Sequence, residues 1–476
     1  MNNLMRYDQK VFDQAAKVIS WNNWLLSTLG LWPQVPNNFL FSINFGYFVY
    51  HMSLEYLDLF LFIDNLEHVI ENLTENMAFT QIIMRIAMLK KYNRQLGAVI
   101  NEALKDYDIK KYRNSDECKA FIDYMNKAKL FVKLLCIFVA MTASSYFMKP
   151  ITSPPPVDES DDMDQINATI PFILPYRFYV FYTINDSQTY MLTYASQFPF
   201  VFISGFGQTA ADCLMVTLVF HVSGKLAVLA IRISEIKCDD AKICKVELND
   251  IINEHSRLLR MGESIEEAFS ETLLVHLVGA TSLVCILGFQ LLSISRRVLY
   301  QTASFRPREG STIGVLFQDF RESHRFDKNQ WDDAETAFNS RIKTGIITNL
   351  QHKDLSAFLS DTKQMIMVEN YSKGQNADIA TFFVFIFLVF LVLYAHCVVG
   401  ESLVTESHKV CEAYYDCKWY EMPKNTAKCL ILCMARSQKP LGLTAGKFGT
   451  FCLSTLTDVV KTAMAYLSVL RSFLAV

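Results

Sequence analysis

Residues 379–399 read IATFFVFIFLVFLVLYAHCVV, 21 consecutive positions without an Asp, Glu, Lys or Arg. A bilayer core about 30 Å thick is crossed by about 20 mostly apolar residues in helical form, because lipid offers no partner to exposed backbone amides and carbonyls. Similar blocks occur at Phe39–Phe62, Lys129–Phe147, Tyr190–Ile231, Phe269–Leu292 and Phe448–Leu470. A shorter one at Asn76–Met88 carries Arg85 near its inner end. The chain reads as an all-α polytopic membrane protein with seven transmembrane helices. Its 476 residues are 51% hydrophobic, 13% aromatic and only 20% charged, which fits that class. A net charge of -3 supplies no basic excess for nucleic acid. Met1–Lys10 lacks the apolar core and cleavage site of a signal peptide, so the first span is expected to direct insertion.

Two signals orient the spans. Asn-x-Ser/Thr sequons stand at Asn72, Asn167, Asn185 and Asn370, and they are glycosylated only on the lumenal side. A cytoplasmic N-terminus and an extracellular C-terminus place all four outside. Parity then requires Tyr190–Ile231 to be one helix that runs beyond the bilayer into the cytoplasm. Lysine and arginine resist translocation in short loops. The loop after span two holds Lys90, Lys91, Arg94, Lys105, Lys110, Lys111 and Arg113, whereas the outer loop Asp64–Glu75 has neither residue type. All twelve cysteines fall in spans or inner loops, so no outer disulfide is expected. Cys429 and Cys433 share a helical spacing, but no histidine joins them as a ligand, and no metal or cofactor is expected.

The resulting order is a cytoplasmic segment 1–38, then 39–292 with spans one to five, a polar segment 293–369 in an extracellular loop, span six in 370–400, a cytoplasmic anchor 401–447, and span seven in 448–476. Segment 293–369 is anomalous, with Arg296, Arg297, Arg306, Arg308, Arg321 and Arg325 and no sustained periodicity. It reads as a ligand-capturing lid or as a variant exon or translated intron. Joining Leu292 to about Met367 restores a short loop.

Span seven alone carries a regular polar stripe: Ser454, Asp458, Lys461, Ala465, Ser468 and Ser472 recur at intervals of four, three, four, three and four. That spacing keeps them near one helix face. Ionisable groups at membrane depth face water or each other. The stripe can line a pore, or Asp458 and Lys461 can form a local pair while the small residues pack on a neighbouring helix.

Near the C-terminus the chain reads Ala413-Tyr414-Tyr415-Asp416-Cys417-Lys418-Trp419-Tyr420, then Ala435-Arg436-Ser437-Gln438-Lys439-Pro440-Leu441 and Leu443-Thr444-Ala445-Gly446-Lys447-Phe448, and ends Tyr466-Leu467-Ser468-Val469-Leu470-Arg471. In that order these elements closely resemble the insect odorant receptors, and the resemblance extends along the chain except for 293–369. It implies the odour-binding, tuning subunit of a ligand-gated non-selective cation channel, assembled as a heterotetramer with the odorant receptor coreceptor in the plasma membrane of sensory dendrites. The coreceptor has a long extra stretch between spans four and five, whereas Ile233–Ala268 is short here. The resemblance also places a gate at Val469, Ser472 and Phe473, and a ligand pocket among spans two, three, four and six.

A volatile or lipid-like ligand needs an apolar cavity with a few orienting polar groups. The candidates are Thr142, Ser145 and Tyr146 on span three, Tyr190, Tyr194, Phe198 and Phe202 on span four, and Phe382, Phe383 and Phe387 on span six. Core or lipid-facing packing is the plainer role for aromatics at this spacing. Trp419 and Tyr420 are expected to pack within the anchor. A gustatory-type receptor is the nearest alternative, although Ala465-Tyr466 and Ser472-Phe473 change both polar positions of its terminal motif. A G-protein-coupled receptor would need the opposite topology, and a transporter would show internal repeats. Singly scattered histidines (His51, His221, His255, His276, His396) offer no catalytic constellation, so no enzyme is expected.

Overall fold

The computed structural model describes residues 7–152, 174–236, 241–304 and 352–474. They form helices α1 (Gln9–Thr28), α2 (Asn38–Leu61), α3 (Leu66–Lys91), α4 (Asn93–Leu104), α5 (Ser115–Thr152), α6 (Ser187–Ser196), α7 (Phe198–Ser234), α8 (Ala241–Ser304), α9 (His352–Asp416), α10 (Lys424–Ser437) and α11 (Leu453–Leu474). A two-residue antiparallel ribbon, β1 (Thr444–Ala445) with β2 (Gly449–Thr450), joins α10 to α11. Residues 7–148, 174–290 and 381–474 pack as one compact unit, which holds everything discussed below. A second unit holds the described parts of 149–173 and 291–380, where the helical ends of α5, α8 and α9 lie.

The chain is an all-α polytopic membrane protein, and four stretches among the described residues are long and apolar enough to cross a bilayer: Ser115–Met148, Ser187–Ser234, Lys242–Gln290 and Phe383–Asp416. Helices α2, α3 and α11, of 24, 26 and 22 residues, also have the length, but Glu55, Asp58, Arg85, Asp458 and Lys461 interrupt their apolar character.

Helix α7 is the hub, buried almost without interruption from Thr209 to Leu226. Helix α1 lays Phe12, Ala15, Val18, Ile19, Leu25 and Leu26 into the core, the i, i+3, i+4 pattern of an amphipathic helix. Asn22 on that buried face donates to Thr217 Oγ1 of α7 at 2.8 Å. Toward the C-terminal end of α7, buried Asp106 receives Arg257 Nη2 at 2.9 Å and His221 Nε2 at 3.1 Å, with Lys225 Nζ at 3.7 Å. Burial works against ionisation there, yet His221, Lys225 and Arg257 together hold the Asp106 carboxyl well below the usual range.

Several expectations are corrected. Asp64–Glu75 is not an outer loop: α3 begins at Leu66, capped by the Asn65 side chain accepting from His68 N–H at 3.2 Å. Asn72 is therefore helical and fully buried, and its amide donates to Asp58 Oδ2 at 2.7 Å, which leaves no room for a glycan. Asn185 is exposed, as a glycan needs. Asn167 and the Asn370 side chain lie outside the described residues. The fourth span is broken at Gln197, with Pro199 in the first turn of α7. Trp419 and Tyr420 are 47% and 68% exposed and touch each other, whereas Tyr414 is the aromatic buried in the anchor.

Candidate functional site

Helices α3, α5, α7, α8 and α9 enclose a cavity of about 120 Å³. Its wall runs from Glu75 to Ile82 on α3, Val139 to Tyr146 on α5, Ser204 to Gln208 on α7, His276 to Leu283 on α8 and Phe385 to Val392 on α9. Four of these five stretches cover seven residue steps, so the chamber is about 10 Å deep at 1.5 Å per residue. Most of the lining is apolar, with Ala78, Phe79, Ala143, Ala280, Leu388 and Val389 among it. An apolar cavity near 150 Å³ holds a molecule of benzene's size, which sets the scale of the occupant.

The end nearest Arg85 is polar. Gln81, Gln208 and His276 line it and connect to a buried cluster behind the wall. Arg85, 1% exposed, donates through Nε to Asp212 Oδ1 at 3.2 Å and through Nη2 to His276 Nδ1 at 2.9 Å. Guanidinium can only donate, so His276 Nδ1 accepts. Asp212 also receives Gln208 Nε2 at 2.7 Å and His396 Nε2 at 3.2 Å. Three helices, α3, α7 and α9, thus meet at one carboxylate, and Arg85 links it to His276 of α8. Gln81 reaches α8 only because Gly279 lacks a Cβ, which would overlap the amide. On its far side the His396 ring lies 6.3 Å from the Phe451 ring, between β2 and α11. Gly400 lets the Phe451 carbonyl rest against α9.

The opposite end is covered by a strap, residues 174–182, between α5 and α6. Tyr176 N–H donates to Gln197 Oε1 at 3.1 Å, and Gln197 Nε2 donates back to Tyr176 O at 3.3 Å. Arg177 Nη1 donates to His68 Nδ1 at 3.0 Å, and Tyr179 N–H to Leu54 O at 3.3 Å. The strap is thereby tied to α2, α3 and the α6–α7 break. Tyr176 is 5% exposed and stacks 6.5 Å from Tyr146 with an interplanar angle of 3°. Burial, reinforced by Glu75, pushes its phenol well above the ordinary value, so the group is neutral.

Of the ligand residues expected from sequence, Thr142 and Tyr146 line the cavity. Ser145 points elsewhere and donates to Met141 O at 2.9 Å. Tyr190, Tyr194, Phe198 and Phe202 do not line it. Their rings form a file on the other face, Phe147 meeting Tyr194 at 4.8 Å and Phe198 at 5.6 Å, and Phe202 is 49% exposed. Ser204 is rotated by about 200° from Phe202 at 100° per residue, so the i+4 aromatic ridge and the cavity face are nearly opposite. Phe383 and Phe387 likewise turn outward, 59% and 52% exposed, and Phe385 takes the cavity side. The Phe382 side chain lies outside the described residues. The sequence reading missed Tyr176, Glu75, Gln81, Gln208 and His276. Isolated polar residues within apolar spans were the available signal, since such groups are retained at membrane depth for a partner or a function.

Helix α11 buries Val459 and Ala463 against its own subunit. Ser454, Asp458, Lys461, Ala465, Ser468 and Val469 are all exposed, and among the described residues no ion pair joins Asp458 to Lys461. The Ser472 and Phe473 side chains lie outside the described residues. The motif Leu443–Phe448 forms the tight ribbon before α11. Gly446 and Lys447 turn it with φ of 56° and 66°, and Gly446 N–H donates to Ser270 O of α8 at 2.9 Å.

A family model described as "7tm Odorant receptor" matches residues 65–305 and 364–464, leaving 306–363 between the two matched stretches. Among curated relatives, Odorant receptor 2a of Drosophila melanogaster is 32% identical over 78 residues, which cover 16% of this chain and 20% of that one. Odorant receptor 85b of the same species is 21% identical over 301 residues, 63% of this chain and 57% of that one. The odorant receptor coreceptor of Harpegnathos saltator is 28% identical over 97 residues, 20% of each chain. The matches to the first three relatives span about a fifth to a quarter of their lengths. The olfactory receptor OR5 of Machilis hrabei, solved in complex with eugenol, superposes with a TM-score of 0.66 at 14% identity, covering 97% of this chain and 99% of that one. A second structure of the same receptor superposes with a TM-score of 0.65 at 12% identity, covering 96% of this chain and 98% of that one. With a cavity enclosed by five helices and a family match over most of its length, the chain belongs to the insect odorant receptor family.

Proposed function

We propose that this chain is the odour-binding, tuning subunit of a ligand-gated, non-selective cation channel, and that it forms a heterotetramer with the odorant receptor coreceptor. The observation that carries the reading is the apolar cavity with polar ends, a shape suited to one small volatile molecule. In this reading seven spans cross the plasma membrane of a sensory dendrite, α2, α3, α5, α6–α7, α8, α9 and α11 in order, with the N-terminus inside and the C-terminus outside. Helix α11 leaves its polar stripe uncovered by its own subunit, which supports a role as pore wall in an assembly, with Val469, Ser472 and Phe473 at the gate. Only six residues, 235–240, separate α7 from α8, which supports the tuning role against the longer-looped coreceptor. The chain acts as a receptor rather than an enzyme.

Ligand binding opens the channel only by favouring the open packing over the closed one. The cluster from His276 through Arg85 and Asp212 to His396 gives a physical connection between the cavity and the joint before α11. The test is co-expression: odour-evoked cation current with the coreceptor and none from the chain alone. Robust current from the chain alone would refute the tuning-subunit reading.

A further inference from the structure

We propose that Tyr176 is the polar recognition group of the cavity, and that the ligand is a small neutral molecule carrying one oxygen hydrogen-bonded to its phenol. The inference rests on the cavity being the ligand site. Tyr176 lines the chamber, is 5% exposed, and its hydroxyl has no hydrogen-bond partner among the described residues. A buried phenol normally finds one. Of the other polar groups around the chamber, His276 Nε2, at the end nearest Arg85, also has no partner among the described residues, but those within reach of the strap are engaged. Thr142 and Ser204 hydroxyls donate to Phe138 O and Val201 O, and Gln208 donates to Asp212. The Tyr176 hydroxyl is therefore the donor left for a ligand at the strap end of the chamber.

Its position is fixed rather than incidental. The two-way clamp from Gln197, itself 1% exposed, holds the Tyr176 backbone at both N–H and C=O. The ring is held among Phe79, Phe178 and Phe200 at centroid distances of 5.4, 6.1 and 5.7 Å. A recognition group held this way loses little freedom on binding. A neutral phenol both donates and accepts, so an aldehyde, ketone, ester or alcohol oxygen satisfies it, whereas a hydrocarbon of the same shape leaves it unpaired.

Benzaldehyde and styrene are a suitable probe pair, since they have the same shape and differ in a carbonyl oxygen against a methylene. Their dissociation constants would be measured by equilibrium dialysis on the full-length chain in lipid nanodiscs, with Ala280→Phe, which fills the cavity, as the baseline for partition into lipid. One net hydrogen bond predicts that the native chain favours benzaldehyde by up to about tenfold. Tyr176→Phe should erase that preference and leave styrene binding unchanged. If both probes bind above baseline and Tyr176→Phe alters neither, or the native chain shows no preference, the phenol proposal is overturned while the cavity reading stands. If neither probe binds above the Ala280→Phe baseline, the cavity reading itself falls.

Discussion

The pair Arg85 and Asp212 offers a test of what holds the membrane half together. Both side chains are buried, at 1% and 5% exposure, with Nε and Oδ1 3.2 Å apart. At an effective dielectric near 20, unit charges at that separation attract by about 5 kcal/mol. Removing one partner strands the other charge, at a cost of about 3–5 kcal/mol. Arg85→Met and Asp212→Leu should each show that loss. The double variant removes both charges and leaves the His276 and His396 nitrogens short of partners, a penalty of about 1–3 kcal/mol. It should therefore be more stable than either single variant, with a coupling energy of at least about 3 kcal/mol. Unfolding in mixed micelles with increasing SDS fraction, followed by tryptophan fluorescence, gives the three differences. Additivity within about 0.5 kcal/mol would mean that the two groups do not share a network, and would refute the account of the cluster.

Three further outcomes follow from the same geometry. Burial, with Arg436 nearby, lowers His255 to about 4 from its ordinary 6.5, so the unfolded chain takes up a proton first. Its contribution is complete above pH 6.5 and is lost as pH falls from 6.5 to 4, about 3 kcal/mol in all; a His255→Gln variant should lose that slope in thermal unfolding across the same range. Gly446→Ala places a Cβ 2.6 Å from Leu274 Cδ2 at a φ of 56°. The conformation alone costs about 1–2 kcal/mol, so the melting temperature should fall, and Leu274→Ala should recover only the steric share. In glycosidase mobility assays, Asn72→Gln should leave the glycan pattern unchanged, whereas Asn185→Gln should remove one step.

Helix positions were legible because lipid demands long apolar runs, and 379–399 marks its span without help from tertiary contacts. The faces of those helices were harder. Tyr190, Tyr194, Phe198 and Phe202 repeat as a cavity wall would, but periodicity defines a face without saying which neighbour it meets. Here the opposite face, at Ser204, Gly205 and Gln208, meets the cavity. Arg85 weakened the sequence case for its span because its counter-charge lies 127 residues away on α7. Tyr176 belongs to a loop, and no local pattern announces that a strap will fold back over five helices. Conversely, the Leu443–Phe448 motif was recognisable as a string before its reason was apparent. It builds a two-residue ribbon whose positive-φ turn sits against α8.

The central claim is that one chain both receives the odorant and walls the pore. Single-channel recording of odour-evoked current, in cells expressing the coreceptor with either the native chain or Asp458→Lys, addresses it most directly. Asp458 is exposed on α11, and among the described residues no ion pair joins it to Lys461, so reversing its charge should lower cation conductance while leaving the odorant concentration dependence in place. Unchanged conductance and reversal potential, with odour sensitivity intact, would contradict the assignment of α11 to the conduction path.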